Sequence, residues 1–165
     1  VQTAYEYDGP VYIKIGMNHE KEYFKDGYVH DVKKSDCLRD GKNIAVFVTG
    51  SILDETVKAC EMLEHEGIST KLINVTTIKP FNEKEVIDIV KEIDTVAVVE
   101  EHNIHGGLAS IISETITYNG LNAKVIPIGL KDTFAEGYGT YAMVRKANQL
   151  DALNIYQRMK EAYEE

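Results

Sequence analysis

Apolar residues in this chain come in short continuous runs, separated by stretches where they recur every three or four positions. Ile44–Val48 is an unbroken apolar run of strand length, the pattern expected where both faces of a strand are covered. Thr70–Val75, Val96–Val99 and Lys124–Gly129 read as further strands, with Pro127 pointing to a sheet edge or a strand end. A shorter alternating run, Val11–Ile15, follows the turn pair Gly9-Pro10 and reads as one more strand.

Between the strands the period changes to that of a helix. After Thr49-Gly50-Ser51, residues Val57, Cys60 and Leu63 share one face, while Glu55, Lys58 and Glu61 face water. Ser51 with Asp54 has the spacing of a capping box, and Gly67 closes the helix. Asn82 with Glu85 gives a second capping pattern, opening a helix that buries Val86, Ile89, Val90 and Ile93. Gly106-Gly107 leads into a third, carrying Leu108, Ile111, Ile112 and Ile116 and ending at Asn119-Gly120. A loop over 133–139, a short helix near 142–147 and a terminal helix from Asp151 to about Tyr163 complete the chain. Residues 18–42 are polar and read as a connector, with only a trace of strand pattern at Tyr28-Val29. Strand–helix alternation of this kind predicts an α/β fold: three layers, with helices on both faces of a mainly parallel sheet. Ligands of such sheets meet the carboxyl ends of the strands, here Thr49–Ser51, Thr76-Thr77, Glu101–Asn103 and Gly129-Leu130.

Composition narrows the chemistry. The chain has 165 residues, one ordinary domain, and a formal net charge of −9, which argues against a nucleic-acid backbone as partner. No apolar run approaches the roughly 20 residues that span a bilayer. Cys37 and Cys60 have neither metal-site spacing nor a disulfide framework, so a reducing cytoplasm is the natural setting. Val1 in place of Met is what a piece cut from a longer chain would show.

The candidate motifs are sparse. Thr49–Asp54 holds one glycine where a dinucleotide fingerprint needs three, and no Gly-Lys-Ser/Thr sequence occurs. The helix start after Ser51 is either an ordinary cap or a site for a small anion. His102 and His105 lie in a loop that leads into a helix, and no third ligand converges with them to hold a metal. A histidine at a strand end suits proton exchange with a substrate or a contact across an interface. Glu100 and Glu101 are neighbours on a strand, so their side chains point to opposite faces and cannot act as a matched acid–base pair. Catalytic, cofactor-binding and metal-ligating residues are therefore expected to be absent. The candidates for a substrate channel or an interface are Ser51, Thr76, Glu101, His102, Asn103 and His105.

Six segments, in order, carry a family resemblance. Gly9–Gly16 resembles the last strand of the pyrimidine-binding domain of transketolases, and Gly41–Ser51 the opening of their C-terminal domain. Gly67–Pro80 is similar to the second strand of that domain with its Ile-Lys-Pro turn. Val99–Leu108 resembles its most diagnostic stretch, and Ile128–Gly137 with Gln149–Ala152 its closing portion. The resemblance implies a five-stranded sheet with one antiparallel edge strand. It also implies three divisions: residues 1–17 as the tail of the pyrimidine domain, 18–42 as linker and 43–165 as the C-terminal domain. It further implies thiamine diphosphate and magnesium in the complete enzyme, held by upstream domains or an upstream subunit, and a homodimer. The reaction implied is ketol transfer through a thiamine-bound carbanion, the cofactor supplying the chemistry, with this lobe as a dimer-supporting scaffold that binds no cofactor. Sugar-phosphate relatives carry an arginine where Met17 stands, before Asn18 and His19, and deoxyxylulose-phosphate synthases one where Thr76 stands. Neither replacement offers arginine's bidentate fork to a phosphate, though Lys14 or His19 could serve in its place. The C-terminal domain of a deoxyxylulose-phosphate synthase, the beta chain of a 2-oxoacid dehydrogenase and a stand-alone interaction module are the other readings.

Overall fold

The computed structural model describes residues 1–16 and 21–165. Five strands among the described residues form one sheet: β1 (Asp36–Arg39), β2 (Ile44–Thr49), β3 (Thr70–Asn74), β4 (Thr95–Asn103) and β5 (Lys124–Leu130). Their order is β1-β3-β2-β4-β5, with β1 antiparallel to β3 and every other pairing parallel. Among the described residues, six helices accompany them: α1 (Gln2–Glu6), α2 (Leu53–His65), α3 (Glu83–Val90), α4 (Leu108–Tyr118), α5 (Tyr141–Ala147) and α6 (Ala152–Glu164). The expected α/β class, with a five-stranded sheet and a single antiparallel edge, is the one observed.

Period-two alternation builds the two cores. Ile44, Val46 and Val48 of β2 join Ala97 and Val99 of β4 on one face, covered by α2 and α6 through Ala59, Leu63, Ile155 and Met159. Ala45, Phe47, Val96 and Val98 point the other way, onto Val86, Val90, Leu108 and Ile112 of α3 and α4. The unbroken apolar runs are therefore buried on both sides. Gly41 is required at the entry to β2, because a Cβ there would lie 2.4 Å from the Thr70 carbonyl carbon.

Four sequence expectations change. Val11–Ile15 forms no strand and pairs with none among the described residues, and Tyr12 and Ile15 are exposed. The antiparallel edge is β1, inside the stretch read as linker. Its four residues, Asp36–Arg39, are half-buried at most and bulge between Cys37 and Arg39, so no apolar run announces them. The helix expected to be capped by Ser51 begins at Leu53, after Ile52, without a side-chain cap bond, because the Ser51 hydroxyl is engaged elsewhere. Glu55 does not face water; it reaches the start of α6. Among the described residues, no helix is long and apolar enough to cross a membrane.

Candidate functional site at the carboxyl ends of the strands

The parallel strands direct their carboxyl ends to one rim, and the two glutamates at the end of β4 diverge there as their register dictates. Glu100 points to the α4 side and is 2 % exposed. Its carboxylate accepts hydrogen bonds from the Leu108 amide (2.8 Å) and the Ala109 amide (3.0 Å). The helix's own N-cap, Gly107, makes no side-chain cap bond, so a carboxylate eight residues back supplies it. Gly107 has no Cβ for a reason: one there would stand 2.2 Å from Glu100 Oε2.

Glu101 points to the opposite face. Its Oε2 accepts from the Ser51 hydroxyl at 2.5 Å, and its Oε1 from Arg145 Nε at 2.7 Å. The pair is largely shielded, with side chains 21 % and 13 % exposed, and the guanidinium also lies over the Tyr141 ring. Three elements, β2's end, β4 and α5, thus meet in one polar knot. Glu55 makes a parallel contact lower down, where its Oε2 accepts from the Ala152 amide at 2.9 Å at the start of α6. Burial pulls the Glu55 carboxyl upward, but Lys58 and that amide outweigh it and leave it below the usual carboxylate range.

The remaining candidates do not join this knot. Asn103 donates to Asp132 Oδ1 at 3.0 Å and accepts from the His105 amide at 2.9 Å, tying the end of β4 to the loop after β5. The His102 ring is exposed and its Nδ1 donates to the Asn103 carbonyl at 2.8 Å; His105 is exposed too. Thr76 lies on the far side of the rim, its hydroxyl 3.5 Å from His30 Nδ1. There His30 Nε2 lies 3.2 Å from the Thr77 hydroxyl, and Tyr28 donates to Asp36 Oδ1 at 2.7 Å. Burial, then the Asp36 carboxylate, push the Tyr28 hydroxyl up. Met17, Asn18 and His19 lie outside the described residues.

Sequence reasoning did not find Arg145, His30, Asp36 or the cap formed by Glu100. Each acts through a partner more than seven residues away, and spacing carries no signal for such pairs. Among the described residues, no group of three or more His, Cys, Asp or Glu side chains converges on a possible cation site.

Residues 33–155 match the family model for the transketolase C-terminal domain. The chain belongs to that family. A putative transketolase C-terminal section of Methanocaldococcus jannaschii is 34% identical over 163 residues, covering 98% of this chain and 50% of the relative. One of the subunits of the apulose-4-phosphate transketolase of Actinobacillus succinogenes is 32% identical, covering 94% and 50%. A 1-deoxy-D-xylulose-5-phosphate synthase of Dictyoglomus thermophilum is 32% identical, over 95% of this chain and 26% of the relative. Among solved structures, one described as a split gene transketolase, inactive beta4 tetramer, superposes with a TM-score of 0.90 at 25% identity, covering 99% of this chain and 53% of that one. The transketolase of Campylobacter jejuni shares the fold, with a TM-score of 0.60 at 15% identity over 80% of this chain and 19% of that one. This chain therefore spans about half or less of the length of these relatives.

Proposed function

We propose that this chain is the supporting lobe of a transketolase-type enzyme that moves ketol units between sugars with thiamine diphosphate and magnesium. The observation that carries the reading is the occupation of its strand-end rim by internal partners. Glu100 fills the amide cradle of α4, Glu101 is bound by Ser51 and Arg145, and Asn103 is bound to Asp132. A diphosphate with its metal needs a free helix N-terminus or a convergent acidic set. These residues do not fit that group, so the cofactor is assigned to upstream domains or an upstream subunit. In this reading residues 1–17 close the preceding domain, the lobe supports a homodimer in the cytoplasm, and His102 and His105 edge a channel or an interface. Catalytic residues are assigned to none of the positions in this chain.

The deoxyxylulose-phosphate synthase reading has one observation in its favour, the 32% identity to the Dictyoglomus thermophilum protein over 95% of the chain. Thr76, with its hydroxyl near His30, gives a phosphate no bidentate contact and weighs against it. Titration calorimetry of thiamine diphosphate with magnesium into the isolated chain tests the assignment of the cofactor. No heat of binding is expected, and micromolar binding would remove the reading.

A further inference from the structure

Residues 21–40 lie on the lobe without entering it. None of them is fully buried, and β1 near their end is bulged and pairs with β3 alone. Two half-buried side chains, Tyr23 and Leu38, touch the core; the remaining ties to the sheet and its helices are polar. Tyr23 donates to Asp54, and Arg39 lies 3.8 Å from Glu61, both on α2. Asp40 accepts from Lys71 Nζ at 2.6 Å on β3, and the His30 ring sits at Thr77, just past that strand. Among the described residues, no hydrogen bond or ion pair joins this stretch to β2, β4 or β5.

At the centre of the stretch, four side chains form one directed chain of hydrogen bonds. The Tyr28 hydroxyl gives its single proton to Asp36 Oδ1 at 2.7 Å, so toward His30 Nδ1, 3.4 Å away, it can only accept. In the neutral ring Nδ1 therefore carries the proton, and Nε2 accepts from the Thr77 hydroxyl at 3.2 Å. Asp36 is the first residue of β1, and its other oxygen, Oδ2, is closed to water and has no partner among the described residues. The relay thus joins the turn after β3 to the first residue of the edge strand. Phe24 stacks on the Tyr28 ring, centroids 4.1 Å apart, and holds it in line.

We infer that residues 21–40 are a strap, one cooperative unit that swings off the lobe while the rest stays folded, with His30 as its clasp. A stretch that buries no side chain completely gains little hydrophobic free energy against the entropy of ordering it. Its order comes from polar ties that support one another along the relay, and losing one loosens the rest. Ile44–Val48 and Thr95–Glu100 are by contrast buried throughout, and open only when the whole lobe unfolds. An open strap takes β1 with it and leaves β3 as the edge of the sheet, with Leu72 and Ile73 on an unpaired backbone. The closed strap covers that edge with a short, bulged and charged strand, which is a poor template for another chain.

The test is native-state hydrogen exchange on the chain, read by mass spectrometry at urea concentrations below the global transition. Amides of 21–40, those of β1 included, are expected to exchange together. Their exchange should be at least about a hundredfold faster than that of β2 and β4, with a shallower dependence on urea. His30→Ala removes both ring contacts and is expected to quicken exchange over 21–40 by about tenfold while leaving β2 and β4 unchanged. Tyr28→Phe, which deprives Asp36 of its donor, is expected to quicken the same residues and no others. Exchange of the β1 amides only together with β2 and β4, at the global urea slope, overturns the inference. So does a His30→Ala chain in which 21–40 is unaltered, or one in which β2 and β4 quicken equally.

Discussion

Glu100→Ala removes a buried carboxylate that two amides of α4 depend on, and its cost can be worked from the bonds lost. The Leu108 and Ala109 amides stand at a buried helix start whose own cap residue bonds nothing. Leaving a buried donor unsatisfied costs about 1–3 kcal/mol, so the substitution should destabilise the lobe by about 2–5 kcal/mol. Urea unfolding followed by circular dichroism measures this directly, as a lower midpoint at unchanged slope. Formate has the size and charge of the missing head group. Bound in the vacated cradle at about ten times its dissociation constant, it would restore about 1.4 kcal/mol. Glu100→Gln, which keeps one acceptor oxygen, should fall between the two. Gly107→Ala should resemble Glu100→Ala, since its methyl group would displace the same carboxylate. A change below about 0.5 kcal/mol in Glu100→Ala, or no gain from formate beyond the wild type's response, would refute the cap.

Arg145→Ala breaks the contact that pins α5 to the end of β4 and should cost about 1–2 kcal/mol; amide exchange over 141–147 should quicken, and unchanged protection there would contradict the latch. Glu55 has a depressed carboxyl, so its contribution is present above the unfolded carboxylate value of about 4.3 and is lost as pH falls through the lower folded value. The stability gap between wild type and Glu55→Gln should therefore be full at neutral pH and close in acid, and a gap that ignores pH would refute it. Burial pushes the Cys60 thiol up to about 11, whereas Cys37 is exposed. A thiol reagent should label one cysteine in the native protein and the second only on unfolding; native labelling of both would contradict the packing around Cys60.

The sequence was informative where one element's side chains all answer to the same environment. Ile44–Val48 and Val96–Val99 are buried on both faces, and such runs announce themselves. Asn82 also behaved as its spacing predicted, accepting from the Glu85 amide. Ser51 had the same local signature and a different fate, since Glu101 arrives from another strand and takes its hydroxyl. The edge strand β1 escaped notice because Asp-Cys-Leu-Arg has no apolar period; its pairing with β3 gives it order. Val11–Ile15 shows the converse, an alternation that finds no partner among the described residues. The opposite facing of Glu100 and Glu101 was legible, being a property of any strand. What each one binds was not, because the partners Leu108, Ala109 and Arg145 are brought in by the fold.

In the proposed function this lobe supports chemistry performed elsewhere in the enzyme. The most direct test is a ketol-transfer assay with a ketose donor, thiamine diphosphate and magnesium, run on the chain alone and on the chain joined by the thiamine-binding portion. No product is expected in the first reaction, and turnover in the second. Product formed by the chain alone would contradict this.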